Sequence, residues 1–152
     1  MFKRTVFAAL VAAVCLAVAP RAHAFLGLSG GGAANVLSVG GEVTIPVAAV
    51  DDGKAHYFTY RAGGKYLDFF VLRGDDGRIR AAFDACDVCS PEGRGFSRQG
   101  DYMVCNFCGQ RFRSDRINAR DGGCNPVPLR LDVADGDVHI AVADLAAGKP
   151  YF

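Results

Sequence analysis

The sequence predicts an all-β fold: a small antiparallel sandwich or barrel that carries a cysteine-rich subdomain. Three observations point there. Short runs rich in Val, Ile, Phe and Tyr recur between Gly and Asp turn signals. No long stripe of 3.6-residue period competes with them. One window, Asp84 to Asn125, departs from this composition and holds Cys86, Cys89, Cys105, Cys108 and Cys124.

The chain of 152 residues opens with Lys3 and Arg4, an apolar run from Val6 to Val18, and the small-x-small site Ala22-His23-Ala24. This is the form of an export signal, so residues 1–24 are expected to be a signal peptide cleaved after Ala24 and the protein to be exported or periplasmic. The run is shorter than the roughly 20 apolar residues of a membrane span. An uncleaved anchor and a lipoprotein cysteine at Cys15 are the alternatives, and no lipid anchor is expected. Cleavage leaves 128 residues, enough for one domain. Lys3, Arg4 and Arg21 leave with the signal, so fourteen basic residues face sixteen acidic ones. That balance gives no sign of a nucleic-acid surface or a polybasic membrane patch, and no nucleic-acid partner is expected.

Residues 25–40 contain Gly30-Gly31-Gly32 and no periodic pattern, and read as a Gly-rich tether. Those glycines lack the Lys-Ser/Thr ending and the preceding strand of a phosphate loop. The domain then spans 41–152. Glu42 to Val47 alternates polar and apolar residues. His56 to Arg61 and Lys65 to Leu72 flank Gly63-Gly64, a hairpin signal. Asp75-Asp76-Gly77 turns into a strand from Arg78 to Phe83. Leu129 to Val133 and Val138 to Val142 flank Asp135-Gly136-Asp137, a second hairpin. No internal repeat or second domain interrupts the pattern.

The Asp84 to Asn125 window is too poor in aliphatic residues to pack a core of its own, so it needs a staple. Cys86-Asp87-Val88-Cys89 and Cys105-Asn106-Phe107-Cys108 are two C-x2-C pairs fifteen residues apart. Two intervening residues let both sulfurs of a pair point from a tight turn into one tetrahedral site, and two such turns supply four thiolates. Gly109 allows the backbone to turn away closely behind them. Zn²⁺, a single iron and a [2Fe–2S] cluster all accept four thiolates. Paired disulfides, a purely structural zinc and redox-active dithiols are the other readings of this spacing.

Without Cys15 five cysteines remain, an odd number for an exported chain built on disulfides alone. Cys124, in Gly122-Gly123-Cys124-Asn125-Pro126, is a further candidate neighbour of the centre, an exchangeable ligand, or a thiol buried under its loop. His56 and His139 both fall inside strand patterns and are not expected to be ligands. Asp84, Asp87 and Asp101 flank the cysteines and are read as turn aspartates that bind loop amides or tune the field. No Ser-His-Asp set or framed carboxylate pair supplies hydrolytic chemistry.

Three stretches carry a family resemblance: Ala82-Phe83-Asp84-Ala85-Cys86-Asp87-Val88-Cys89, then Gly100-Asp101-Tyr102-Met103-Val104-Cys105-Asn106-Phe107-Cys108-Gly109, then Gly122 to Leu129. The chain from about Gly41 to Tyr151-Phe152 closely resembles the FtrD-like family. That family is iron–sulfur-containing and is associated with bacterial iron uptake around a ferric permease. Many members carry membrane helices ahead of the domain, whereas this sequence shows only the signal. A wider resemblance is to Rieske-type domains, which hold their cluster between two hairpin loops under a third loop. Cys86 and Cys89 match the first loop, Cys105 and Cys108 the second, and Gly122 to Leu129 the cover. Cysteine stands at the two positions where that superfamily uses histidine, which implies a lower potential for a bound cluster.

The resemblance implies a Rieske-like sandwich or barrel and a [2Fe–2S] cluster on Cys86, Cys89, Cys105 and Cys108, with Cys124 beside it. It implies an electron-transfer protein linked to iron uptake, with a redox partner or a membrane iron-permease complex. On this reading the protein is an electron carrier more than a catalyst of substrate turnover. The alternatives are a zinc-binding structural or metal-delivery module, mononuclear iron, and a thiol–disulfide redox protein. Lys3-Arg4-Thr5-Val6-Phe7 is only a degenerate form of the paired-arginine mark of folded export, which favours a metal acquired after export.

Overall fold

The computed structural model describes residues 32–119 and 123–152. The expected signal peptide, Cys15 and most of the expected tether lie outside them, as do Arg120, Asp121 and Gly122. Eleven strands and one short helix are present among the described residues. The fold is all-β and mostly antiparallel, as the turn-punctuated runs imply.

The central sheet has the order β1 (Ala34–Val36), β3 (Ala55–Ala62), β4 (Lys65–Arg73), β5 (Ile79–Cys86) and β9 (Pro126–Leu129). A second sheet joins β10 (Asp132–Ala134), β11 (Asp137–Ala141) and β2 (Glu42–Pro46). A third joins β6 (Phe96–Gln99), β7 (Tyr102–Cys105) and β8 (Arg111–Arg113). Helix α1 (Val142–Ala147) follows β11.

Both expected hairpins form. Ala62 pairs with Lys65 across Gly63-Gly64, whose φ angles are +60° and +91°, the left-handed pair that a two-residue turn of matching twist requires. Ala134 pairs with Asp137 across Asp135 (φ +54°) and Gly136 (φ +84°), so Asp137 belongs to the strand and not to the turn. Two further assignments differ from the sequence reading. The expected strand from Leu129 to Val133 divides between β9 and β10, which lie in different sheets. At the end of the expected tether, Ala34 and Val36 form a strand parallel to β3, each 5% exposed. Three residues are too few to show a period, and their burial comes from the partner strand.

Strand β4 explains how the sheets are layered. Its Phe69-Phe70-Val71-Leu72 run has no polar alternation, and all four side chains are buried. Side chains of a strand point alternately to opposite faces, so such a run is covered on both sides. Phe69 and Val71 join a core with Phe58, Ala81, Phe83, Ile45 and Ile140. Phe70 and Leu72 join a second core with Phe96, Met103, Ile117, Cys86 and Cys105. The cysteine-rich window thus packs against the back of the central sheet. It is poor in aliphatic residues but borrows Phe70, Leu72 and Ala82 from β4 and β5.

The C-terminus closes over the first core. The Phe152 ring meets Phe83 edge-on at 6.1 Å between centroids, and Lys65 Nζ donates to the carbonyls of Lys149 and Phe152. Gly148 lies against the Phe83 ring so closely that a Cβ there would overlap it. Its backbone is ordinary, so the requirement for glycine is steric. Gly148→Ala is therefore expected to cost about 1–3 kcal/mol of stability, the usual range for overpacking. Phe83→Leu tests the contrast in urea unfolding: if Gly148→Ala costs as much without the Phe83 ring as with it, the packing account is contradicted.

Candidate metal centre

Three segments bring the cysteines together. The first is the end of β5. Ala82, Asp84 and Cys86 alternate onto the face that meets the cysteine-rich sheet, and Cys86 is the strand's last residue. The chain then turns, and the Cys89 amide donates to the Cys86 sulfur at 3.0 Å. A single 3-10 turn at Ser90–Glu92, with Pro91 early in it, leads away and ends at Gly93 in a left-handed conformation.

The β7–β8 hairpin is the second segment. Cys105 ends β7 and pairs with Phe96 on β6. Its N–H donates to the Gln110 carbonyl, and the Gly109 N–H donates back to the Cys105 carbonyl, each at 2.9 Å. This closes a tight loop around Cys108, with Gly109 at φ +73°. The third segment leads into β9. Pro126 pairs with Cys86, which sets Cys124, two residues earlier, beside the first segment. At the other end of that loop, Asn118 clamps Leu129: its Nδ2 donates to the Leu129 carbonyl at 2.9 Å and its Oδ1 accepts the Leu129 N–H at 3.3 Å.

All five sulfurs converge. Those of Cys86, Cys89 and Cys124 lie within 4.8 Å of one another, as do those of Cys89, Cys105 and Cys108. The Cys89 and Cys124 sulfurs are 3.7 Å apart, and those of Cys108 and Cys124 are 3.9 Å apart. Cys89 belongs to both triads, so the C-x2-C pairs form one group. Cys86, Cys89 and Cys105 are buried, Cys124 is half-buried and Cys108 is exposed.

The electrostatics follow from this crowding. Burial pushes the Cys89 thiol well above its ordinary range, and contacts with Cys86, Cys124 and Cys108 push it further. The Gln110 backbone N–H, then the Cys105 thiol, pull Cys108 down. At Cys124 the contact with Cys89 pulls downward but is outweighed by Cys108, burial and the charge of Cys86, and the net direction is up. Several thiolates this close repel one another, and a multivalent cation removes that repulsion as it displaces the protons. The donor set also fits geometrically. Four sulfurs about 2.3 Å from a tetrahedral ion are about 3.8 Å apart, close to the separations of Cys124 from Cys89 and from Cys108.

His56 accompanies Asp52 at 2.6 Å on β3, and His139 accompanies Glu42 at 3.4 Å on β11. Neither belongs to a metal-binding group among the described residues. The flanking aspartates divide. Asp87 is exposed, and Asp101 contributes its backbone carbonyl to the Ser114 N–H at 2.8 Å. Asp84 accepts the Phe96 N–H at 2.6 Å, and burial, opposed by that hydrogen bond and assisted by Asp68, raises its carboxyl to about 6. Two residues that the sequence reading did not single out hold the loops together. Tyr57 donates to the Phe96 carbonyl at 3.0 Å. Asn106 accepts from Ser97 at 2.7 Å, donates to the Arg94 carbonyl at 2.9 Å, and its N–H reaches the Gly95 carbonyl at 3.0 Å. The only signal for Asn106 was its place inside the second C-x2-C, where an amide can bond neighbouring backbone.

A small β domain that gathers five free thiols on one site belongs to the class of thiolate-ligated metal and iron–sulfur proteins. The chain is a member of the FtrD-like family: the profile described as "Membrane iron-sulfur containing protein FtrD-like" matches residues 50–152. No curated protein matches it by sequence. Among solved structures, the chain is similar to the quaternary ammonium Rieske monooxygenase CntA in complex with an inhibitor. The TM-score is 0.45 at 17% identity, over 64% of this chain and 29% of that one. It is also similar to a naphthalene 1,2-dioxygenase variant bound to phenanthrene, with TM-score 0.42 and 17% identity over 64% and 24% of the two chains. The chain thus spans less than a third of the length of these oxygenases. Among the described residues no helix is long and apolar enough to cross a membrane.

Asp84 is the polar anchor between the central sheet and the loop ahead of β6. Asp84→Ala leaves the half-buried Phe96 N–H without its acceptor and is expected to cost about 1–3 kcal/mol. Asp84→Asn keeps an acceptor and should lose less. Thermal unfolding at pH 7 compares the two, and equal stability of the Ala and Asn variants would show that the hydrogen bond does not anchor the loop.

Proposed function

We propose that the protein is an exported iron–sulfur electron-transfer protein that serves iron uptake. In this reading Cys86, Cys89, Cys105 and Cys108 hold a [2Fe–2S] cluster, and Cys124 stands beside it as an exchangeable neighbour. The observation that carries the proposal is the convergence of five free thiols on one site in a member of an iron–sulfur-containing family. A redox partner or a membrane iron-permease complex is the expected recipient or donor, with the chain in the periplasm after cleavage behind Ala24.

A cluster bound there supplies one-electron redox chemistry. The chain's own residues do the rest. Phe70, Phe96, Met103 and Ile117 keep water from the buried sulfurs. The Cys89 N–H stabilises charge on the Cys86 sulfur, and such hydrogen bonds raise a cluster's potential. Exposed Cys108 and half-buried Cys124 form the side nearest solvent, where an electron has the shortest path in or out.

A single zinc or iron ion is the second reading, and a specific observation favours it. Each triad places three sulfurs within 4.8 Å of one another, which one ion can gather, whereas each iron of a [2Fe–2S] cluster takes two thiolates. Metal and acid-labile sulfide analysis of the natively exported protein, with its absorption spectrum, separates the readings. Iron and sulfide in equal amounts, with a visible spectrum bleached by one electron, is the expected result. Zinc without visible absorption would overturn the electron-transfer proposal.

Cys105→Ser is expected to lose the bound metal and to raise proteolysis between Asp84 and Asn125 at least tenfold, while the central sheet keeps its far-ultraviolet signal. Undiminished protection in the metal-free variant would show that the window folds without its centre. Cys124→Ala should retain the centre with a shifted potential or resistance to oxidation. Complete metal loss there would instead make Cys124 an obligatory ligand.

A further inference from the structure

A groove of about 680 Å³ runs along the outside of β8 and ends at Cys124. Its wall includes Gln110, Arg111, Arg113, Arg116 and Asn125, with Phe112 and Ala119 as apolar lining, and no carboxylate among the described residues. Arg111 and Arg113 are two residues apart on one strand, so they project from the same face, while Phe112 between them packs into the second core. Arg116 follows in the next turn.

The three guanidinium groups are not equivalent. Arg113 is engaged by Asp115 through two contacts of 3.0 and 3.2 Å. Arg111 lies over the Tyr102 ring at 4.4 Å, which holds its plane without neutralising it. Arg111 and Arg116 make no ion pair among the described residues. Charged side chains on a short edge strand also serve to block strand pairing. That role needs no concavity, no restraint on a guanidinium and no third arginine beyond the strand.

We propose that this groove binds a small polycarboxylate, free or as an anionic metal chelate. Arginine forks match planar carboxylates in paired hydrogen bonds, and the two forks of Arg111 and Arg116, which Asp115 does not hold as it holds Arg113, ask for at least two separated carboxylates. The volume is that of a small-molecule site and far exceeds what one simple anion fills. An occupant would lie against Cys124, whose sulfur contacts those of Cys89 and Cys108.

The test is calorimetric titration of the natively exported, metal-loaded protein at low ionic strength, with citrate and with redox-inert gallium(III) citrate. Saturable single-site binding of at least one is expected, weakened by added salt. Binding should fall at least tenfold in an Arg111→Gln, Arg116→Gln double variant and stay unchanged in Arg78→Gln, whose side chain is exposed on another turn. If the double variant loses its metal, Arg116→Glu alone carries the same expectation, because Arg116 is exposed. A tenfold preference for the gallium form identifies the chelate as the ligand, and equal affinity identifies the polycarboxylate itself. The proposal is overturned if neither anion binds saturably, or if the arginine variants bind as tightly as the parent. It is also overturned if polyglutamate binds while both small anions do not, which would assign the groove to an acidic protein surface.

Discussion

Burying both faces of one sheet constrains everything placed on it, and the β3–β4–β5 layer is buried in this way. Each fully buried Phe or Leu contributes roughly 1.5–3 kcal/mol, so the Phe58, Leu67, Phe69 and Phe83 side lets the first core stand largely by itself. The opposite side presents Phe70, Leu72 and Ala82 and then, in the same alternation, Asp84 and Cys86. One strand therefore carries an apolar footing, a polar anchor and a sulfur in line. The three-stranded cysteine-rich sheet is held to that footing by few apolar side chains of its own, chiefly Phe96, Met103 and Ile117. Tyr57, Asp84 and Asn106 supply directional bonds where apolar area is short.

Crowded sulfur is the second constraint. Five thiols this close cannot all ionise without a positive charge among them, and they do not stay neutral once a soft metal ion competes for their protons. Their unequal exposure makes the group directional. Cys86, Cys89 and Cys105 face the core, whereas Cys108 opens to solvent and Cys124 lies between. Any exchange of ligand or electron is easiest on the Cys108–Cys124 side, which is also the side the arginine groove reaches.

Much of this was legible in the residues, for reasons that can be named. The Gly63-Gly64 and Asp135-Gly136 turns were readable because positive φ at two adjacent residues leaves few residue types to choose from. The cysteine group was readable because C-x2-C spacing has few geometric outcomes. The placement of Ala34 to Val36 as a strand was not, since a three-residue parallel partner has no period and is defined only by β3. Nor was the break between β9 and β10, because Leu129-Arg130-Leu131-Asp132-Val133 keeps one strand-like alternation across the point where the chain changes sheets. The double burial of β4 was in principle visible in Phe69-Phe70-Val71-Leu72, a run with no polar alternation. Weighing that run would have shown that the cysteine-rich window borrows a core.

The same division explains why the site tolerates a loop-rich construction. A centre held only by loops would drift, since each loop orders itself at an entropic cost of about 1–2 kcal/mol per residue. Here each cysteine segment is tied to a strand end: Cys86 closes β5, Cys105 closes β7, and Cys124 precedes the Pro126 pairing with Cys86. Only Cys89 and Cys108 extend beyond those ends, each by three residues. The tight turns that carry them need Gly93 and Gly109 in left-handed conformations to leave the site again. Most of the ordering cost is thus met by sheet pairing. What a bound centre must add is the closing of two short turns and the drawing of Cys124 against them.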